Sequence, residues 1–188
     1  MSAGQQQGDP VIPAEFVSAY VALGANLGDA VAALRQAVQS LAGLPLTQVQ
    51  RTSSLYKTAP LNTDSVDALP APGADYLNAV VELQTALTAP ALFDQLQRIE
   101  QAAGRLRPYR NAPRTLDLDL LLYGSARIDS ARLTLPHPRM TQRAFVLVPL
   151  AEIAPDRVSV EQLQAVRQQV IERLDDFLLP SPAGRGLG

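Results

Sequence analysis

Short apolar runs alternate along this 188-residue chain with segments in which apolar residues recur every three or four positions. Four runs of apolar, β-branched or aromatic residues predict strands, at residues 16–23, 47–57, 76–85 and 116–123. Helical spacing predicts one helix that starts after Asp29 and stops at Gly43, and a second from Pro90 to Gly104. The order is βαββαβ, which predicts an α+β fold with an antiparallel sheet and its helices packed on one face.

The segments outside this pattern predict one domain with loose ends. Residues 1–16 and 180–188 are small or polar and contain proline, so we expect flexible N-terminal and C-terminal tails. Between them we expect a single domain at residues 17–179, which includes a weakly amphipathic helix at 160–178 as a C-terminal appendage. A proline-rich loop is predicted at 58–75, and loops of that length are usually functional or disordered. A second loop, at 136–144, leads into residues 145–150.

Composition excludes several kinds of chemistry. The chain has no cysteine and one histidine, which excludes disulfide scaffolds, thiolate zinc sites, iron–sulfur clusters, cysteine nucleophiles and two-histidine catalytic devices. No apolar run approaches the roughly 20 residues that span a bilayer, and the first ten residues lack the basic and apolar regions of a secretory signal. We therefore expect a cytoplasmic protein with no membrane partner.

Positive charge is concentrated in one part of the chain. Nine arginines and four acidic residues lie between Arg98 and Arg143, a local charge of +5 in a chain whose net charge is −2. A basic patch on an acidic protein favours a small anionic ligand, because a long polyanion would favour a basic protein as a whole. An alternative is a proteome that uses arginine in place of lysine, which explains the single lysine but does not explain the clustering.

The most informative segment is residues 114–123, with the sequence RTLDLDLLLY. On a strand, Asp117 and Asp119 project from the same face about 6.5–7 Å apart, while Leu116, Leu118 and Leu120 face the core. Adjacent carboxylates repel unless a cation lies between them, and hard oxygen ligands suit Mg²⁺ together with phosphate oxygens. The alternative is an edge strand with a polar face, in which Arg114 pairs with one of the aspartates.

Motifs for nucleotide binding that rely on glycine are absent: the sequence contains neither GxxxxGK[ST] nor GxGxxG. If ATP binds, arginines and metal must hold its phosphates. The turn at residues 24–29 could present backbone N–H groups at a helix N-terminus, although a plain turn is the simpler interpretation. Tyr76 and Asn78 share a strand face and could grip a flat heterocycle or could simply pack, and His137 could be an exposed loop residue.

Several segments together resemble the 6-hydroxymethyl-7,8-dihydropterin pyrophosphokinase family over residues 18–156. The matching segments are YVALGANLGD at 20–29, SSLYKTAPL at 53–61, DYLNAVVEL at 75–83, QRIE at 97–100, GRLR at 104–107, PRTLDLDLLLYG at 113–124, RLTLPHP at 132–138 and RAF at 143–145. The PRTLDLD run is highly specific. The resemblance implies a ferredoxin-like fold, in agreement with the predicted element order.

The same resemblance implies an activity: an ATP-dependent diphosphotransferase that transfers pyrophosphate from ATP to the hydroxymethyl oxygen of the pterin in folate biosynthesis, releasing AMP. Asp117 and Asp119 match the pair that binds two Mg²⁺ ions, and they are expected to be catalytic together with Arg105 and Arg114. The implied ATP-binding residues are Gln97, Arg105, Arg107, Arg110, Arg114, Arg132, Thr134, His137 and Arg143. The implied pterin-binding residues are Thr58, Leu61, Tyr76, Asn78 and Phe145, with Tyr76 and Phe145 on the two faces of the ring.

The chain departs from the family pattern at two places. Asn111 and Ala112 stand where the family often has Trp-Gly, and residues 63–74 lengthen the loop on the pterin side. The alternative function is a non-catalytic ferredoxin-like module that binds a regulatory ligand or RNA. An RNA-binding domain favours a basic isoelectric point, whereas this chain has a value near 5.4. We therefore expect small-molecule substrates, no nucleic acid, and a monomer.

Overall fold

The computed structural model describes residues 15–59, 74–104 and 116–174. Eight strands and four α-helices lie in these ranges. The strands are β1 (Val17–Ala25), β2 (Thr47–Thr52), β3 (Leu55–Thr58), β4 (Tyr76–Thr85), β5 (Asp117–Tyr123), β6 (Ile128–Asp129), β7 (Thr134–Leu135) and β8 (Glu172–Leu174). The helices are α1 (Ala30–Ala42), α2 (Ala89–Ala102), α3 (Ala144–Ile153) and α4 (Val160–Ala165), with 3₁₀ turns at Met140–Gln142 and Pro155–Arg157.

Six strands form one sheet in the order β5-β1-β4-β3-β8, with β2 also paired to β4. Every pair is antiparallel. The predicted mixed fold with an antiparallel sheet and helices is confirmed. Strands β1 and β4 lie at the centre of the sheet and pair along nine residues, so they set the register for the strands on either side.

The two predicted helix starts are confirmed by their caps. The Asp29 side chain accepts a hydrogen bond from the Ala32 N–H at 2.9 Å, and Thr88 accepts from the Ala91 N–H at 3.4 Å. Pro90 lies in the first turn of α2, where its missing N–H would have no helical partner. Local sequence therefore determines where α1 and α2 begin.

The sheet is covered on both faces, which corrects the prediction that helices pack on one face only. Helices α1 and α2 pack on one face, where leucines such as Leu34 and Leu92 join Leu23 of β1. Helix α3 packs on the other face with Tyr20, and its sequence AFVLVPLAEI is apolar almost throughout. An apolar helix of this kind must be buried, and the second sheet face is where it is buried.

Two predicted elements differ in the structure. Residues 47–57 form two strands, because the Ser53 side chain accepts the Val80 N–H at 2.9 Å and interrupts the ladder to β4. The predicted helix at 160–178 is wrong: α4 ends at Ala165, and residues 172–174 form β8 beside β3. An ion pair of 2.6 Å between Lys57 and Glu172 joins these two strands, a cross-strand partner that helical spacing does not reveal.

Some predictions concern residues outside the described ranges. These include the tails at 1–14 and 180–188, most of the long loop (residues 60–73), and Leu61, Arg105, Arg107, Arg110, Arg114, Asn111 and Ala112. The extent of the single domain, 17–179, stays a prediction. No helix within the described part of the chain has the length and apolar character needed to cross a membrane.

Candidate active site

A row of paired residues crosses four strands of the sheet on the face that α3 covers. In this row Asp117 of β5 pairs with Gly24 of β1, Gly24 pairs with Asn78 of β4, and Asn78 pairs with Tyr56 of β3. Residues that pair directly across strands project from the same face. The row therefore brings a carboxylate, a bare glycine and an amide together on one surface.

The two aspartates alternate with core leucines, as predicted. Asp117 and Asp119 are half-buried, whereas Leu118 and Leu120 are buried with α1 and α2 on the opposite face. Asp119 pairs with Ala22, next to the row that contains Gly24. Both carboxylates therefore lie on the side of α3, beside the centre of the sheet.

His137 lies close to this pair of aspartates and to Arg143. Burial is the main cause that lowers the pKa of His137 from its usual value; the Asp119 carboxylate opposes the shift, and Arg143 and Arg139 favour it. This shift favours the neutral form of the ring. Its Nδ1 accepts the Arg139 N–H at 3.3 Å, which leaves the Nε2–H as its donor. Two carboxylates, an imidazole and a guanidinium thus lie together, a set that suits an oxyanion when a cation lies at the carboxylates.

The outer edge of β5 is anchored at two points on either side of Asp119. The Glu100 carboxylate of α2 is 2% exposed and accepts the Leu118 N–H at 2.9 Å. The His137 N–H donates to the Leu121 carbonyl at 2.9 Å. Sequence reasoning did not assign Glu100 a role, because its partner is distant in sequence and only its burial reveals it.

On the other side of Gly24, Asn78 is 5% exposed and its amide is fixed by two hydrogen bonds. Its Nδ2 donates to the Thr58 hydroxyl at 3.0 Å and to the Tyr56 carbonyl at 3.4 Å. Both donors of the amide are therefore used. The remaining acceptor, Oδ1, faces Gly24, where an added Cβ would lie 3.4 Å away.

The two predicted aromatic residues are both half-buried near this face. Tyr76 pairs with Thr58 one row beyond Asn78. Phe145 lies in the first turn of α3 and packs with the cluster that contains Tyr20 and Val80. The Arg143 guanidinium lies over the Phe145 ring, 5.3 Å from its centre, and so links the aromatic residue to the charged cluster.

The remaining predicted ATP contacts lie near the β5 edge. Gln97 is one turn before Glu100 on α2, and Thr134 is in β7, which packs beside β5. Arg132 is exposed and pairs with Asp94 at 2.6 Å. A groove of about 360 Å³ adjoins that ion pair and is lined largely by apolar side chains, including Phe93 and Leu133.

Glu152 of α3 is a second residue that sequence reasoning missed. Its carboxylate accepts hydrogen bonds from the Ser54 N–H at 3.0 Å, the Ser54 hydroxyl at 2.8 Å and the Tyr56 hydroxyl at 3.0 Å, and pairs with Arg173 at 3.3 Å. Burial and the bond to Glu152 raise the pKa of Tyr56 to about 12, so the phenol stays a neutral donor. Glu152 thus ties α3 to the strand that carries Thr58.

We expect Glu152→Ala to lower the free energy of unfolding by about 1–3 kcal/mol, because Tyr56 and Ser54 lose their acceptor. Glu152→Gln keeps an acceptor oxygen, so we expect a smaller decrease in the free energy of unfolding. Urea unfolding measures both, with Glu15→Ala at an exposed residue before β1 as the control. An unfolding midpoint of Glu152→Ala equal to that of the control would contradict this role.

The donor set at β5 suits magnesium. Within residues 15–59, 74–104 and 116–174 no group of three or more His, Cys, Asp or Glu side chains could hold a metal ion. The two carboxylates of Asp117 and Asp119 are hard oxygen ligands, and Mg²⁺ typically takes one or two carboxylates and completes its shell with phosphate oxygens and water. The described residues therefore fit an ion that is shared with a phosphate substrate.

Comparisons with known proteins agree on one family. The family model described as 7,8-dihydro-6-hydroxymethylpterin-pyrophosphokinase (HPPK) matches residues 20–155. The chain is 42% identical over 170 residues to a 2-amino-4-hydroxy-6-hydroxymethyldihydropteridine pyrophosphokinase of Synechocystis sp., covering 88% of this chain and 83% of that protein. It is 46% identical over 143 residues to the protein of the same name from Haemophilus influenzae, covering 76% of this chain and 85% of that protein.

Solved structures with a similar fold include Plasmodium falciparum HPPK-DHPS. A triple mutant of that protein matches with a TM-score of 0.57 and 15% identity, covering 75% of this chain and 40% of that chain. The A437G variant with SDX-DHP matches with the same TM-score and covers 77% of this chain and 43% of its own. The chain thus spans about two fifths of the length of these structures, and at this identity the likeness concerns the fold alone.

Proposed function

The chain belongs to the 7,8-dihydro-6-hydroxymethylpterin-pyrophosphokinase family, and from that membership we propose how its residues divide the work of the family's reaction. It is an ATP-dependent diphosphotransferase of folate biosynthesis, which transfers the pyrophosphoryl group of ATP to hydroxymethyldihydropterin. The observation that carries the assignment is the row Asp117–Gly24–Asn78, in which a carboxylate and a fixed amide flank a residue without a side chain.

The pterin binds on the Asn78 side of Gly24. The Asn78 amide donates hydrogen bonds to the Thr58 hydroxyl and the Tyr56 carbonyl, so its Oδ1 is the atom left to contact the substrate. This oxygen accepts hydrogen bonds from N–H groups at the edge of the pterin. Tyr76 and Phe145 stack on the two faces of the ring. Leu61, outside the described residues, adds a backbone contact.

ATP and metal bind on the Asp117 side. Asp117 and Asp119 hold two Mg²⁺ ions, which when bound neutralise the triphosphate and lower the pKa of the substrate hydroxyl. His137 and Arg143 contact phosphate oxygens, and the apolar groove beside Arg132 suits the nucleobase. Gln97 lies one helical turn after the lining residue Phe93, and Thr134 follows the lining residue Leu133. Four further arginines complete the phosphate site from outside the described residues: Arg105, Arg107, Arg110 and Arg114.

The chain contributes positioning and charge, and needs no covalent intermediate. The hydroxymethyl oxygen gives up its proton to solvent and attacks the β-phosphorus. The bond from that phosphorus to the α–β bridging oxygen breaks, and AMP leaves with the electron pair. Half-burial of Asp117, Asp119 and His137 limits water near the reacting groups and strengthens their interactions with charge.

The experiment is a product analysis. Incubation with ATP, hydroxymethyldihydropterin and Mg²⁺ is expected to give one AMP for each pterin diphosphate, measured by ³¹P NMR and ion-exchange chromatography. Formation of ADP, or ligand binding without turnover, would support the alternative of a different transfer or a non-catalytic regulatory module. Omission of the pterin is the control for hydrolysis of ATP.

The sheet order supports a ferredoxin-like βαββαβ unit made of β1, α1, the β2/β3 pair, β4, α2 and β5. In this proposal the C-terminal appendage is α3, α4 and β8; α3 covers the second face of the sheet, and β8 extends the sheet beside β3. Cytoplasmic location and a monomeric state stay predictions from the sequence.

A further inference from the structure

Gly24 has no side chain at a position where the backbone would accept one. Among the described residues the glycines with positive φ are Gly28, Gly104 and Gly124, and Gly24 is not one of them. It lies inside β1, between Leu23 and Ala25, in regular antiparallel pairing on both sides. A glycine inside a strand weakens it, so its presence here requires another reason, such as the close approach of a ligand.

The space above Gly24 belongs to the site face. A Cβ at this position would project between Asp117 and Asn78, 3.4 Å from Asn78 Oδ1, which is an ordinary van der Waals contact. Among the described residues, alanine would therefore fit without displacing a neighbour. What it would occupy is the surface between Asp117 and Asn78.

The sheet spacing gives the distance that the substrate must bridge. Neighbouring strands are about 4.8 Å apart, so the backbones of Asp117 and Asn78 are about 10 Å apart with Gly24 midway. In the proposed function the ring is held at Asn78 and the phosphates at Asp117. The hydroxymethyl group that joins the two reactants therefore has to cross the surface of Gly24.

We propose that Gly24 is a specificity-determining residue for the substituent at C6 of the pterin, because its bare Cα is the floor over which the hydroxymethyl carbon reaches the phosphates. This inference rests on the proposed function. The two neighbouring residues then have different roles: Asn78 binds the ring, and Gly24, which has no side chain, leaves room for the C6 substituent.

The test is Gly24→Ala, with Gly43→Ala at the end of α1 as a matched control far from the site. Binding of hydroxymethyldihydropterin and of dihydropterin without a C6 substituent is measured by calorimetry, each with a non-hydrolysable ATP analogue and Mg²⁺. Gly24→Ala is expected to raise the Kd for hydroxymethyldihydropterin at least tenfold. The Kd values for dihydropterin without a C6 substituent and for the nucleotide analogue are expected to change less than twofold. The kcat/KM of Gly24→Ala for the pterin is expected to fall at least tenfold, at a melting temperature close to that of the wild type.

Two results would overturn the inference while leaving the proposed function intact. One is an equal rise in Kd for both pterins, which would mean that the added Cβ disturbs recognition of the ring by Asn78 and does not act on the C6 substituent. The other is wild-type kcat/KM in Gly24→Ala, which would mean that the substituent does not cross residue 24. Failure of the wild-type protein to form AMP would instead overturn the proposed function. That result is obtained from the wild type alone, without any Gly24 variant.

Discussion

Asp119→Ala is expected to abolish Mg²⁺-dependent AMP formation while leaving the chain folded. The carboxylate projects from β5 on the α3 side, next to His137 and away from the leucines of the core. Without it the site has one carboxylate ligand for metal in place of two, and the phosphate charge is not neutralised. We expect kcat to fall at least about 100-fold, the scale of losing one preorganised electrostatic contact to a transition state.

Steady-state AMP formation measures this effect, and circular dichroism with a melting curve measures the fold. Asp119→Asn keeps the shape of the side chain and is expected to be nearly as inactive. Asp156→Ala, which removes an exposed carboxylate beside Arg157, is the matched control and should keep wild-type activity. Turnover of Asp119→Ala at the wild-type rate would contradict the metal assignment.

Phe145→Ala is expected to weaken pterin binding far more than nucleotide binding. Stacking of a flat heterocycle on an aromatic side chain contributes about 1–3 kcal/mol, by analogy with nucleic-acid bases. That range corresponds to a roughly 5- to 150-fold rise in the Kd for the pterin. The Kd for a non-hydrolysable ATP analogue is expected to change less than about threefold, through the lost contact with Arg143.

Calorimetric titration of each ligand separates the two effects. Phe16→Ala is the matched control, because Phe16 is 48% exposed and precedes β1. Equal losses for the pterin and the nucleotide would refute the proposed ring sandwich, since they would show a general disturbance of α3.

The parts of the fold that sequence predicted well are those decided by neighbouring residues. The caps Asp29 and Thr88 fix the starts of α1 and α2, and alternation along residues 116–120 directs the aspartates and leucines to opposite faces. Both signals act within one or two turns or a few strand residues.

The parts that sequence missed depend on partners that are distant along the chain. Ser53 interrupts the ladder only because Val80 lies opposite, and β8 exists because β3 offers it an edge and Lys57 a counter-charge. Likewise, Glu152 and Glu100 look like ordinary helical carboxylates until their partners are known. Glu152 lies 98 residues from its partner Ser54, and Glu100 lies 18 residues from its partner Leu118, so their roles are visible only in three dimensions.

The most direct test of the central claim is a count of divalent ions at the β5 carboxylates. Mn²⁺, used in place of Mg²⁺, is titrated into the chain with a non-hydrolysable ATP analogue and followed by electron paramagnetic resonance. The wild type is expected to hold two ions per bound nucleotide, one more than the nucleotide binds alone, and the double variant Asp117→Asn/Asp119→Asn no more than the free nucleotide. The same uptake in both chains would mean that these carboxylates do not hold the metal.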